Sequence, residues 1–247
     1  MIDTHAHIFL SKMKPDDYVR SAMDAGVTGI INVAINLESA ALSVELARNY
    51  SMVYATAGIH PCEGGEVNPI EQLRDFVNSY SIVAIGEIGL DGYRSHLSME
   101  DQIVRFRSQL DLAREYNLPV IIHCREAANT MAEVIMDYPD IRKVYHCFSE
   151  SDAFINAVDD ENTMMSFTGN ITYSNAENSR HAVKTLPFAK IMLETDSPYL
   201  VPTRFKGLPN QSAYIGEVAS QVAELRGVSR DTVADVTTLN AIRFFGL

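Results

Sequence analysis

The sequence is short of cysteine, of long apolar runs and of positive charge, and each shortage excludes something. Its three cysteines, Cys62, Cys124 and Cys147, include no Cys-x-x-Cys pair, and an odd number makes no disulfide framework. Cys124 and Cys147 each follow a histidine in a strand candidate, so alternation turns their sulfurs toward a helical layer as buried free thiols. Such thiols suit a reducing cytoplasm. No apolar run reaches the roughly 18–20 residues that span a bilayer. The first residues are too polar for a signal peptide. A soluble, unexported, cytoplasmic protein is expected, with no membrane contact and no obligate protein partner. Lys and Arg number 20 against 32 Asp and Glu, a formal net charge of −12. That balance repels long polyanions and argues against function through extended duplex contacts. It leaves open a nuclease that grips one strand end with cations and a few arginines. Repeats, low-complexity tracts and Gly-rich nucleotide loops are also missing.

What is present is alternation. With 247 residues, 47% of them hydrophobic, the chain can bury one substantial core, and a single domain over residues 1–247 is expected. Short β-branched runs lie at Ile2–Ile8, Gly29–Ile35, Met52–Ile59, Ile82–Ile88, Pro119–His123, Lys143–Phe148, Met164–Thr168 and Ile191–Asp196. Helical spacing fills the gaps at Ser39–Tyr50, Pro69–Tyr80, Ala127–Met136, Ser151–Val158 and Ala176–Leu186, and in a stretch from Ser98. There Ser98 and Asp101 fit a capping box. Two further helices, Gln211–Arg226 and Arg230–Phe245, close the sequence. Eight strands separated by helices predict an α/β fold, a (β/α)8 TIM-type barrel with some distortion allowed.

The chemistry concentrates at strand ends. Ile2-Asp3-Thr4-His5-Ala6-His7-Ile8 places two imidazoles on one face of an opening strand. By itself that pair fits buried, hydrogen-bonded histidines as well as a metal site. However, His60, His123 and His146 also fall in or just after strand candidates, as do Glu87 and Asp196. In a parallel barrel these ends meet at one rim, where active sites are built. Unpaired buried carboxylates are costly, and a cation explains their convergence with imidazoles. Imidazole and carboxylate without thiolate describe a divalent-metal site for Mg²⁺, Mn²⁺, Zn²⁺ or Co²⁺. The donors are too many for one tetrahedral ion, whereas two ions sharing a bridging carboxylate use them. Paired metals of that kind serve hydrolysis. Asp16-Asp17 and Asp159-Asp160-Glu161 read as solvated turn and helix-end charges, and His96 and His181 have no evident partner.

These segments resemble the TatD family of metal-dependent deoxyribonucleases, within the amidohydrolase-like barrels. The motifs are Asp3-Thr4-His5-Ala6-His7, Gly58-Ile59-His60-Pro61 and Gly86-Glu87-Ile88-Gly89-Leu90-Asp91. They continue with Leu118-Pro119-Val120-Ile121-Ile122-His123-Cys124-Arg125, His146-Cys147-Phe148-Ser149 and Glu194-Thr195-Asp196-Ser197-Pro198-Tyr199-Leu200. The resemblance implies that His5, His7, Glu87 and Asp196 surround one metal, and that Glu87, as the bridge, His123 and His146 surround a second. It also implies that Asp196 orients or deprotonates the attacking water, and that His60, Arg125 and Tyr199 lie near a bound phosphate. The implied activity is 3′–5′ exodeoxyribonuclease, acting on a DNA end, preferably single-stranded, or a small phosphodiester. The same site could serve a deacylase of D-aminoacyl-tRNA, and a non-catalytic metal-binding barrel is the third possibility. Cys62, Gly92, Glu150, Lys206 and Ser212 depart from the family pattern, and all of them touch the rim rather than the ligands.

Overall fold

The computed structural model describes residues 1–247. Its strands are β1 (Ile2–Ala6), β2 (Gly29–Asn32), β3 (Val53–Ala57), β4 (Ala84–Asp91), β5 (Val120–Arg125), β6 (Lys143–Tyr145), β7 (Thr163–Phe167) and β8 (Ile191–Leu193). Each pairs in parallel with the next in chain order, giving the expected (β/α)8 barrel. Helices α1 (Pro15–Asp24), α2 (Leu37–Asn49), α3 (Ile70–Ser79), α4 (Met99–Glu115), α5 (Ala128–Ile135), α6 (Asp152–Val158) and α7 (Glu177–Thr185) fill the crossovers. Two more, α8 (Ile215–Arg226) and α9 (Arg230–Phe245), follow β8. The strands read as unbroken apolar runs because the helical layer covers their outer faces.

Local signals act largely as the sequence suggests, with instructive exceptions. The Ser98 hydroxyl accepts the Asp101 amide at 3.1 Å, but it also donates to the Asp101 carboxylate at 2.9 Å, which therefore does not reach back to the cap amide. Half a capping box forms there. A complete, reciprocal one forms at α2, between Asn36 and Ser39. Helix α1 is not among the helices that spacing predicts. Asp16 and Asp17 occupy its first turn, behind Pro15, where negative charge complements the helix dipole.

The seam between β8 and β1 closes by unusual means. Above β8, the His7 amide donates to the Ser197 carbonyl and the Asp196 amide to the His5 carbonyl, both at 2.8 Å. Below, the Thr4 hydroxyl donates to the Leu193 carbonyl at 3.0 Å, and Asp3 accepts the Thr195 amide at 2.9 Å and its hydroxyl at 2.6 Å. Register breaks occur in β1 between Asp3 and Ala6, and in β4 between Ile85 and Ile88. Such irregularities re-aim side chains beside active sites. Here they bracket His5 and Glu87. Beside the second break, a Cβ on Gly86 would stand 2.7 Å from the Ile121 side chain, so glycine is required for the strands to approach.

The acidic run at Asp159–Glu161 is not simply solvated. Lys143, wholly buried at the start of β6, directs its ammonium to the Asp160 carboxylate at 2.7 Å and to the Ile141 carbonyl at 3.2 Å. Asp159 pairs with Lys190. Burial pushes the Asp160 carboxyl up, but the Lys143 ammonium and the Thr163 hydroxyl outweigh it and hold the group below its usual range. A depressed folded value contributes stability that is present above the unfolded pKa of about 3.9 and lost as pH falls through the folded one. Asp160→Asn is therefore expected to lower the unfolding free energy at pH 7 by about 1–3 kcal/mol and to flatten the loss of stability below about pH 4. Urea titrations of both proteins at pH 7 and pH 3 check this; equal losses at both pH values would refute it.

Candidate metal centre

The barrel brings the reactive residues together at the C-terminal rim. His5 lies in β1, Glu87 in β4 and His123 in β5. His7 follows β1 directly, and His60 follows β3. His146 and Asp196, expected inside strands, stand just past β6 and β8. Freed from the pleat, Asp196 adopts φ +53°, a left-handed conformation uncommon outside glycine.

Three donor atoms form one group, and Asp196 borders it. His5 Nε2 and His7 Nε2 are 3.2 Å apart. Glu87 Oε2 lies 3.3 Å from the first and 3.7 Å from the second, and Asp196 Oδ1 lies 3.8 and 3.5 Å from them. Ligands held tetrahedrally at about 2.0–2.2 Å from an ion stand roughly 3.3–3.6 Å apart, so His5, His7 and Glu87 fit a divalent metal, with Asp196 beside the two imidazoles. The other carboxylate oxygen serves a second group. Glu87 Oε1 lies 2.9 Å from His146 Nε2, 3.0 Å from His123 Nδ1 and 3.4 Å from His60 Nε2, and His123 Nδ1 is 3.3 Å from His146 Nε2.

Partners behind the rings decide which nitrogens can act as ligands. His7 Nδ1 is 2.7 Å from the Val33 carbonyl, which can only accept, so its proton sits there and the Nε2 lone pair faces Glu87 and Asp196. His123 Nε2 is 2.9 Å from Asp91 Oδ2, leaving its Nδ1 lone pair facing Glu87 and His146. His60 is the reverse. Its Nδ1 accepts the Cys62 amide at 3.0 Å, so Nε2 carries the proton and donates to Glu87. His60 thus faces the carboxylate that the second group of imidazoles shares, and with Glu87 and His123 it forms a set of donors close enough to meet one cation. The rim loop that carries His60 is fastened by Arg105, a buried residue of α4. Its guanidinium donates to the carbonyls of His60 (3.2 Å), Glu63 (2.8 Å), Glu66 (2.8 Å) and Val67 (2.7 Å).

Two carboxylates matter more than the sequence alone suggests. Asp91 orients His123 while its Oδ1 accepts the Tyr93 and Arg94 amides at 2.7 and 2.6 Å. Glu194, 1% exposed, faces His146 Nδ1 at 3.5 Å and accepts the Cys147 amide at 2.7 Å and the Ser166 hydroxyl. Both lie in the family motifs, and strand alternation offers a signal for one of them: Asp91 is four residues from Glu87 on β4.

Opposing charges set the protonation. Burial pushes the Glu87 carboxyl up, but the surrounding imidazoles outweigh it and hold it well below the usual carboxylate range. Asp196 is held down in the same way, chiefly by His7 and His5. Burial lowers each of the five imidazoles at the site. Neighbouring carboxylates overcome this at His7, His123 and His146, which are raised, but not at His5 and His60, which are lowered. The cysteines remain half-buried free thiols. Burial pushes Cys62 and Cys147 up to about 12, so neither is a thiolate near neutrality. Cys147 does not face the helical layer as alternation suggests. With β6 ended at Tyr145 and φ at +48°, its sulfur lies 3.7 Å from the Thr168 hydroxyl and accepts from Asn170 at 3.3 Å.

Of the remaining expected residues, Tyr199 is 53% exposed, with its ring 6.3 Å from that of His7, and Arg125 stands two residues beyond His123 on β5. His181, for which the sequence offers no partner, pairs with Asp152 at 2.9 Å, both side chains more than half exposed. Because His7, His123 and His146 are raised, a divalent ion entering this donor set displaces protons, more of them at pH 6.5 than at pH 8.5. Titration calorimetry in phosphate and Tris, which differ in ionisation enthalpy, should show a buffer-dependent heat that shrinks as pH rises. A heat independent of buffer would contradict the assignment of protons.

Comparison with known proteins places the chain in a family. The profile of the family described as TatD related DNase matches residues 2–246. The "Uncharacterized metal-dependent hydrolase YabD" of Bacillus subtilis is 31% identical across 99% of this chain and 98% of its own length. The "3'-5' ssDNA/RNA exonuclease TatD" of Erwinia amylovora is 34% identical across 94% and 93%. The crystal structure of YJJV, a TatD homologue from Escherichia coli K12, superposes with a TM-score of 0.93 at 32% identity, covering 100% of this chain and 98% of that one. With a family profile matched over nearly its whole length and a barrel in common with such a relative, the chain belongs to the TatD family of metal-dependent hydrolases.

Proposed function

We propose that residues 1–247 act as one unit, a metal-dependent 3′–5′ exodeoxyribonuclease that releases nucleotides from a DNA end, preferably single-stranded. The observation that carries this reading is the division of one buried carboxylate, Glu87, between two groups of imidazoles, with the lone pairs of His7 and His123 turned inward by fixed outer partners. His5, His7, Glu87 and Asp196 would hold one divalent ion, and Glu87, His123 and His146 a second. Mg²⁺, Mn²⁺, Zn²⁺ and Co²⁺ all suit such donors. When bound, paired ions activate water and neutralise the charge that develops on the phosphate.

The chain's own residues do the rest. Asp196, kept ionised by the imidazoles around it, orients the attacking water and accepts its proton. His60 fixes the Glu87 carboxylate through its Nε2 proton, so the bridge does not rotate as substrate enters. Arg125 offers a guanidinium to the phosphate, and Tyr199 a ring to the terminal nucleotide. An exonuclease handles only a strand end, which a protein of net charge −12 can tolerate. The printed name of the Erwinia relative supports the polarity and the single-stranded substrate. Three unpaired thiols support a cytoplasmic setting, and no helix is long and apolar enough to cross a membrane.

A 5′-labelled single-stranded oligonucleotide with Mg²⁺ or Mn²⁺ should shorten from its 3′ end. Glu87→Gln should slow this by about 10²–10³-fold or more. An untouched oligonucleotide beside hydrolysed D-aminoacyl-tRNA would replace the nuclease with a deacylase. Asp91→Asn, which removes the charge orienting His123, should weaken metal affinity roughly 10–100-fold. Much of its activity should return at high metal concentration; a loss that no amount of metal restores would assign Asp91 a different role.

A further inference from the structure

The rim carries an aromatic–guanidinium stack that metal binding does not require. The Arg125 guanidinium carbon lies 4.2 Å from the centre of the Tyr93 ring, and Tyr93 is 60% exposed. The arginine–carboxylate pairs of this protein involve Arg20, Arg74, Arg107, Arg114 and Arg204, and not Arg125. Its in-plane donors are therefore left for something else.

The stack is built into the site rather than resting beside it. Gly92, one of the departures from the family pattern, donates its amide to the Arg125 carbonyl at 2.8 Å. A Cβ on Gly92 would stand 2.5 Å from the Glu126 carbonyl oxygen, so glycine is needed for the ends of β4 and β5 to stay together here. The next residue, Tyr93, is thereby placed over Arg125. The turn is pinned by the Tyr93 and Arg94 amides on Asp91, the same carboxylate that orients His123. His123 and Arg125 share a face of β5 about 6–7 Å apart, the scale of one nucleotide.

A planar cation on an aromatic ring offers one kind of ligand a good fit: a nucleotide whose base is free to stack and whose phosphate meets the guanidinium edge. Net negative charge deprives this protein of long-range attraction for DNA, so affinity must come from short-range contacts of this sort. We propose that Tyr93 and Arg125 form the subsite for the nucleotide next to the one being released, and that stacking of its unpaired base on this pair selects single-stranded over duplex ends. The proposal rests on the nuclease reading and adds a specificity determinant to it.

The test compares two single-stranded oligonucleotides, one intact and one abasic at the penultimate 3′ position, on wild type, Tyr93→Ala and Tyr93→Phe. Wild type should favour the intact strand by roughly 10–100-fold in kcat/KM. The preference should collapse toward one in Tyr93→Ala and persist in Tyr93→Phe, which keeps the ring. The sequence contains no tryptophan, so Tyr93→Trp supplies a single reporter. Its fluorescence should be quenched by the intact strand, protected from cleavage by a 3′ phosphorothioate, and not by the abasic one. If Tyr93→Ala slows both substrates equally, or if wild type cleaves both at the same rate, the subsite is wrong while the nuclease stands. If wild type cleaves neither with Mg²⁺ or Mn²⁺, the nuclease reading falls and the subsite falls with it.

Discussion

One buried negative charge organises this molecule. Glu87 is 3% exposed, and an ionised carboxylate there is tolerated only because nitrogen donors meet both of its oxygens. One oxygen engages the histidines of the first strand. The other engages His123 of the fifth strand and the histidines that follow the third and sixth. The strand that carries Glu87 breaks register beside it, and its neighbouring glycine clears the approach of β5. Take the charge away and the histidines around the rim lose their common partner.

Closure of the barrel and assembly of the site are, in large part, the same event. The amides that join the two ends of the sheet belong to His7 and Asp196, and the carbonyls that receive them include that of His5. A chain that has not brought its last strand beside its first has no complete donor set. Asp3 reinforces the join from beneath. Burial pushes its carboxyl up to about 7, against the hydrogen bonds it accepts from Ser212, Thr195 and the His5 amide. The most costly polar groups in the protein thus sit where the fold is least regular, and they hold one another in place.

Much of this arrangement is legible in the amino-acid sequence, because it rests on period and position. Two histidines at strand spacing, and acids at the ends of apolar runs, name a rim wherever the parallel barrel is recognised. The features that escape such a reading depend on partners far away in the chain. Asp160 reads as one more turn acid until the buried Lys143 is seen facing it. Asp91 and Glu194 read as motif letters until their histidines are placed. The strands at His146 and Asp196 end earlier than the sequence suggests, because an apolar pattern continues after the pleat has stopped. Helix α1 buries an apolar stripe, Tyr18, Val19 and Ala22, that goes unnoticed behind the charged Asp16-Asp17 pair.

Arg105 gives the rim a property the histidines lack. It fastens the loop over residues 60–67 through four backbone carbonyls, and a carbonyl neither gains nor loses a proton in the range where imidazoles do. Fully buried, the guanidinium is also poorly screened by salt. The wall that carries His60 is therefore a fixed jaw, indifferent to acidity and ionic strength, set against a centre whose charge depends on both.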